Sequence, residues 1–128
     1  MNLALNWIAS MQCQPGGWAA FDVDNNQDWL NSVPYGDLKA MIDPNTADVT
    51  ARVLGMLGAC NLSIQPDNLE KSLDYLLNEQ EIEGYWFGRC RVNYIYGTSG
   101  VLSASALINP QKYPTTSGRT HVDIVHIY

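Results

Sequence analysis

Six aspartates, Asp22, Asp24, Asp28, Asp37, Asp43 and Asp48, fall between positions 22 and 48, against the single base Lys39. Pro34, Gly36 and Pro44 punctuate the stretch and no helical period runs through it, so it reads as a long ordered loop. Arg52 follows Asp48 by four positions, the spacing of an ion pair on one helix face. Asn45 or Thr46 can cap the helix beginning there, with Asp48 in its first turn where a carboxylate suits the dipole. Phe21 opens the loop and Tyr96 lies farther on, and core packing is the ordinary role of either aromatic. Cys13, Cys60 and Cys90 are odd in number and widely spaced, neither a zinc pattern nor a disulfide framework, and they fit a reducing compartment. His121 and His126, five apart on a β-like tail, make poor ligands. No metal site and no cofactor are expected.

The elements that must position these groups repeat. Trp7 to Trp18 reads Trp-Ile-Ala-Ser-Met-Gln-Cys-Gln-Pro-Gly-Gly-Trp, and Tyr75 to Trp86 reads Tyr-Leu-Leu-Asn-Glu-Gln-Glu-Ile-Glu-Gly-Tyr-Trp. An aromatic (Trp7, Tyr75), a Gln (Gln12, Gln80), a Gly (Gly16, Gly84) and a Trp (Trp18, Trp86) recur at identical spacing, which marks an internal repeat. The apolar spacing before each Gln is helical and the Gly permits the left-handed conformation just past a helix end. The Gln amide is expected to bond orphan carbonyls of the helix end while the Trp ring covers the turn. This clasp is structural in the first instance.

In chain order, a helix is expected over Asn2–Met11, broken at Gln14-Pro15-Gly16-Gly17. Further helices are expected over Val49–Leu57, over Leu69–Asn78 with Leu69, Leu73, Leu76 and Leu77 buried, and over Thr98–Ile108. Val92–Tyr96 reads as an apolar-aromatic approach to the last. The helices after the clasps also match: Asp48, Thr50, Val53 and Leu54 align with Tyr96, Thr98, Val101 and Leu102. About 20 more residues separate the first Trp from its helix than the second. That insertion is the acidic loop, and insertions in repeat scaffolds tend to carry function. Small residues in the helices after the clasps suit close packing. Helix pairs joined by such clasps point to an all-α fold, an incomplete α/α toroid.

Composition sets the outer limits. With 128 residues, 46% hydrophobic and four Trp, the chain is globular and of one-domain size. Two visible units are fewer than repeat folds usually need, so it reads as part of something larger whose open ends expose apolar faces. A net charge of −6 argues against nucleic acid, which needs a basic face. No 18-residue apolar run spans a bilayer, and no basic segment precedes the first helix as a signal peptide would require.

With these residues in view, the chain resembles the squalene–hopene cyclases, in the C-terminal catalytic half of the bacterial triterpene cyclases. The clasp is similar to their glutamine–tryptophan repeat. Gly16-Gly17-Trp18-Ala19-Ala20-Phe21-Asp22-Val23-Asp24-Asn25, Asp43-Pro44 and Asp48-Val49-Thr50-Ala51 carry the likeness. So do Trp86-Phe87-Gly88-Arg89 and Val92-Asn93-Tyr94-Ile95-Tyr96-Gly97-Thr98. Oxidosqualene cyclases share the clasp, but the Asp-Val-Asp-Asn loop looks more like the hopene-forming branch.

The resemblance implies protonation of squalene at a terminal alkene, then a cascade of carbocations ended by water or proton loss. The family's proton donor lies in an Asp-x-Asp-Asp motif, which these residues lack; Asp22-Val23-Asp24-Asn25 follows a clasp and is not assigned that role. Asp43, Asp48, Arg52 and Tyr96 match positions near the catalytic acid, with Arg52 where the family places a basic or imidazole partner of it. Phe21 matches an aromatic of the cavity wall. Cys90 stands where the family has a Trp, replacing a cation-stabilising ring by a thiol that a carbocation could alkylate. Implied partners are squalene and a membrane surface, monotopic on the cytoplasmic side through regions outside this chain, with room for a homodimer in the complete enzyme. The likeness covers 1–110, and 111–128 is an atypical tail that reads as truncated or frameshifted. The competing expectation is a catalytically inactive helical-repeat remnant. A prenyltransferase-like toroid ranks last, since three cysteines do not make its zinc site.

Overall fold

The computed structural model describes residues 2–25, 42–89 and 93–108. They form four helices, α1 (Asn2–Ser10), α2 (Ala47–Ala59), α3 (Pro66–Asn78) and α4 (Asn93–Leu107). Among the described residues β-structure is limited to three isolated antiparallel bridges, so the all-α expectation holds. None of these helices is long and apolar enough to cross a membrane.

The clasps repeat bond for bond. Gly16 and Gly84 both adopt positive φ, 105° and 91°. The Gly16 N–H donates to the Cys13 carbonyl and the Gly84 N–H to that of Glu81, at 2.9 and 2.8 Å. Gln12 Nε2 donates to the Gly16 carbonyl (2.7 Å), as Gln80 Nε2 does to that of Gly84 (3.0 Å). The indole N–H of Trp18 donates to the Ile8 carbonyl and that of Trp86 to the Leu76 carbonyl, at 2.8 and 2.6 Å. The expected roles are therefore exchanged: the Trp serves the helix carbonyl and the Gln serves the turn. The left-handed glycine folds its own carbonyl back to the Gln amide, while the Ile8 carbonyl is shared between the Met11 N–H and the Trp18 indole. Gln12 also donates to the Asn68 carbonyl in α3 at 2.8 Å, tying the first clasp to the second unit.

Each clasp is then pinned to the helix that follows it. The Trp18 N–H donates to Thr50 Oγ1 and the Trp86 N–H to Thr98 Oγ1, both at 3.0 Å, across 32 and 12 positions. The difference, 32 − 12, is the length of the insertion. Thr50 and Thr98 are the aligned pair, so the repeat register is physical.

The core lies between α2, α3 and α4. Trp86, Leu54 and Val101 are fully buried and Leu76 and Ala51 nearly so. Helices α2 and α4 make the closest approach. A β-carbon at Gly55 would sit 3.7 Å from that of Ala104, one at Gly100 3.7 Å from that of Ala51, and one at Gly58 2.7 Å from the Leu107 carbonyl oxygen. The small residues thus serve helix contact, as expected. Gly58→Ala forces the two backbones apart and should cost about 1–3 kcal/mol in a urea titration, whereas Gly55→Ala, with ordinary clearance, should cost less.

Two helix starts differ most from expectation, and α2 extends two residues farther at each end than expected. Helix α4 begins at Asn93, so Tyr94–Tyr96, expected to be an approach, form its first turns. Their β-branched and aromatic character hid the helix, and packing decides it: Tyr94 meets the rings of Tyr85 and Phe87 edge-on at 4.4 and 5.6 Å. Helix α3 begins three residues early because Pro66 occupies its first turn, where its missing N–H costs nothing. Thr46 is the N-cap of α2 by position, but its hydroxyl makes no capping bond. The expected open faces are present: Leu3, Trp7, Ile82 and Ile95 are mostly exposed. Trp7 contrasts with its counterpart Tyr75, which is buried against Gly17 and donates to the Asn45 carbonyl at 3.0 Å.

Burial, with the carboxylate of Glu79 next in weight, pushes the Tyr75 hydroxyl above the tyrosine range, so it stays a donor. Desolvation raises the Glu79 carboxyl above its ordinary 4.5, partly offset by Tyr75 and reinforced by Glu81. The folded state therefore holds this proton more tightly than the unfolded one. Its contribution to stability is full below 4.5 and is lost as pH rises through the raised value. Glu79→Gln should flatten the stability profile over that window in denaturant titrations at stepped pH.

Candidate functional site

The two ends of the insertion are held together as a neck. The Thr46 N–H donates to the Trp18 carbonyl and the Asp43 N–H to that of Asn25, both at 3.1 Å. The Asp43 carboxylate then gathers the opposite arm, accepting the backbone N–H groups of Ala20 at 3.3 Å, Asp22 at 2.8 Å and Phe21 between them. Three converging N–H groups make a nest that suits an anion. Asp24 takes a left-handed φ of 56° and its Oδ1 accepts the Gln14 N–H at 2.8 Å, folding the loop back on the first clasp. Asn25 donates to Asp22 at 3.2 Å.

This neck forms one side of a cleft of about 400 Å3, lined by Phe21, Asp22, Asp43, Thr46, Val49 and Arg89 among others. Phe21 is 82% exposed and is among the residues lining the cleft. Thr46 Oγ1 is buried and has no hydrogen-bond partner among the described residues. Arg89 reaches in from the second unit, donating from Nη2 to the Ile42 carbonyl at 3.1 Å.

The remaining expected residues lie apart from the described cleft lining. Asp48 is in the first turn of α2, 2% exposed and close enough to influence Tyr75. Arg52 is exposed, with its guanidinium carbon 5.0 Å from the centre of the Tyr96 ring. That stacking joins two residues picked out separately, one from each unit. Gln12, Trp18, Gln80 and Trp86 are the clasps described above. Cys90 and the tail from 111 lie outside the described residues. Sequence reasoning missed Arg89 as a site residue, although it stood in a quoted motif, because its partner is 47 positions away. It also read Thr46 only as a cap.

The arrangement offers a shaped cleft with an exposed ring, a backbone-anchored carboxylate and a guanidinium bound to a carbonyl. Among its described lining residues, apolar Phe21, Ile42 and Val49 adjoin charged Asp22, Asp43 and Arg89.

The family described as the squalene-hopene cyclase C-terminal domain matches residues 1–121. The chain is 52% identical over 118 residues to a dammaradiene synthase of Dryopteris crassirhizoma, covering 85% of this chain and 17% of that protein. It is 46% identical over 101 residues to a squalene–hopene cyclase of Zymomonas mobilis (79% and 15%). Against that of Alicyclobacillus acidocaldarius it is 42% identical over 104 residues (81% and 16%). The chain thus spans about a sixth of the length of these relatives. The chain belongs to the squalene-hopene cyclase family and corresponds to part of its C-terminal domain.

Proposed function

We propose that these residues form one wall of the reaction cavity of a triterpene cyclase that closes squalene through a proton-initiated carbocation cascade, yielding hopene or hopanol. The supporting observation is the cleft at the neck of the insertion, in a chain matched to this family over residues 1–121. Phe21 supplies an exposed ring face to a passing cation. Asp43 fixes the backbone that carries that ring and adds negative potential beside it. Arg52, held over Tyr96, together with Asp48 tunes the electrostatics around the acid that starts the cascade. That acid is not assigned to any residue here. The helix pairs and clasps are one arc of an α/α toroid, with membrane contact, squalene uptake and any dimer made through other surfaces.

A second reading is that the same cascade ends at another polycycle. The 52% identity to a dammaradiene synthase favours it. The test is the native polypeptide purified from its source, its intact mass measured, then incubated in detergent with squalene and its products identified by gas chromatography and mass spectrometry. Hopene or hopanol supports the first reading and dammaradiene the second. No cyclic product from the folded native polypeptide sinks both and leaves the inactive remnant.

A further inference from the structure

We infer that Arg89 is a positioning residue for the cleft: it straps the second repeat unit to the neck of the insertion and so holds Asp43 and the Phe21 backbone in place. The strap is a hydrogen bond from Nη2 to the Ile42 carbonyl, directly before Asp43 in the chain. Ile42 is 8% exposed, so this carbonyl belongs to a packed arm. Arg89 Nη1 is buried as well, and the residue makes a further interaction besides. This is a committed guanidinium, not a surface charge.

Its anchor is rigid. Trp86 is fully buried and bonded at both nitrogens, and Gly97 of α4 packs against the backbone of Trp86 and Gly88, 2.9 Å from the Gly88 nitrogen for an added β-carbon. Arg89 therefore springs from a clasp locked to α4 and reaches an arm that belongs to the other unit. At the far end, Asp43 collects the N–H groups of Ala20, Phe21 and Asp22. The chain of contacts runs from Arg89 to Ile42, through Asp43, to the backbone bearing the exposed ring. A planar guanidinium can reach a carbonyl while keeping its other donors in fixed directions, and a lysine cannot reproduce that fork.

The catalytic consequence rests on the proposed cyclase reading, whereas the strap itself does not, and two readouts separate them. In the native polypeptide, Arg89→Gln should speed hydrogen exchange at the amides of Ala20, Phe21, Asp22 and Asp43 about tenfold or more. Arg89→Lys should recover part of the protection, and amides in the middle of α2 and α4 should be unchanged. Unchanged protection at the neck, or an equal loss across α2 and α4, would overturn the strap. With squalene, Arg89→Gln should raise KM or alter the product ratio. A lower kcat at the same KM and product ratio would mean only fewer folded molecules, and would overturn the positioning role. Should the wild type make no cyclic product, the functional reading fails while the exchange data still decide the strap.

Discussion

Trp86→Ala is expected to cost about 3–5 kcal/mol, a large part of the roughly 5–15 kcal/mol that holds a typical domain together. Trp86 is fully buried at the centre of the α2–α3–α4 core. Its removal opens a cavity the size of an indole and also breaks polar pairing. The indole N–H leaves the Leu76 carbonyl without its donor, and that contact is buried. Trp86→Phe removes the N–H donor with a smaller loss of volume, and the unsatisfied buried carbonyl within that cost should amount to about 1–3 kcal/mol. Urea titrations followed by far-ultraviolet circular dichroism would measure both. A cost under about 1 kcal/mol for Trp86→Ala would mean that the clasp decorates the fold and does not hold it. Trp18→Ala should differ in kind. Its main-chain bonds to Thr46 and Thr50 persist in the variant, and only the buried ring and the indole N–H donated to the Ile8 carbonyl are lost, so the damage should fall on the seating of α1.

Asp43→Asn is expected to leave the helices standing and dismantle the cleft. One carboxylate oxygen accepts from Phe21 and Asp22 and the other from Ala20. An amide keeps one acceptor and turns an NH2 against the remaining N–H, so whichever way it flips, at least one donor loses its partner. Charge-assisted bonds of this kind contribute about 1.5–3 kcal/mol each. If the cavity-wall reading holds, squalene turnover by the native polypeptide should fall by on the order of 10- to 100-fold, with helical circular dichroism intact. Turnover within twofold of wild type would show that the neck does not shape the reaction site. Asp43→Glu should not rescue, because the longer side chain cannot present both oxygens to the same three amides.

Much of this was legible from residue types and spacing. Recurrence of an aromatic, Gln, Gly and Trp at one spacing is a local pattern, and local patterns survive in a single sequence. The matched pair Thr50 and Thr98 proved to mark equivalent hydrogen bonds, so the 20-residue insertion could be measured before any helix was placed. The helices with clear apolar periods, α2 and α3, were found with ends shifted by two or three residues. The first turns of α4 were missed because Tyr94, Ile95 and Tyr96 carry strand-like propensity, which edge-on packing of Tyr94 against Tyr85 and Phe87 overrides.

Of the chemistry, the sequence alone located the acidic loop, Phe21 and Asp43 as the place where the repeat departs from itself, and the clasps as its joints. Only the tertiary structure decided which side-chain atom serves which carbonyl. The Gln amide goes to the turn carbonyl and the Trp indole to the helix carbonyl, the reverse of the expected roles. Only it revealed that Asp43 spends its carboxylate on the backbone, that Arg52 lies over Tyr96, and that Arg89 closes the neck from the other unit. The physical reason is range. Periodicity and turn chemistry act over a few residues and are written in order along the chain. These site contacts span 21 to 47 positions and exist only once the two units have packed.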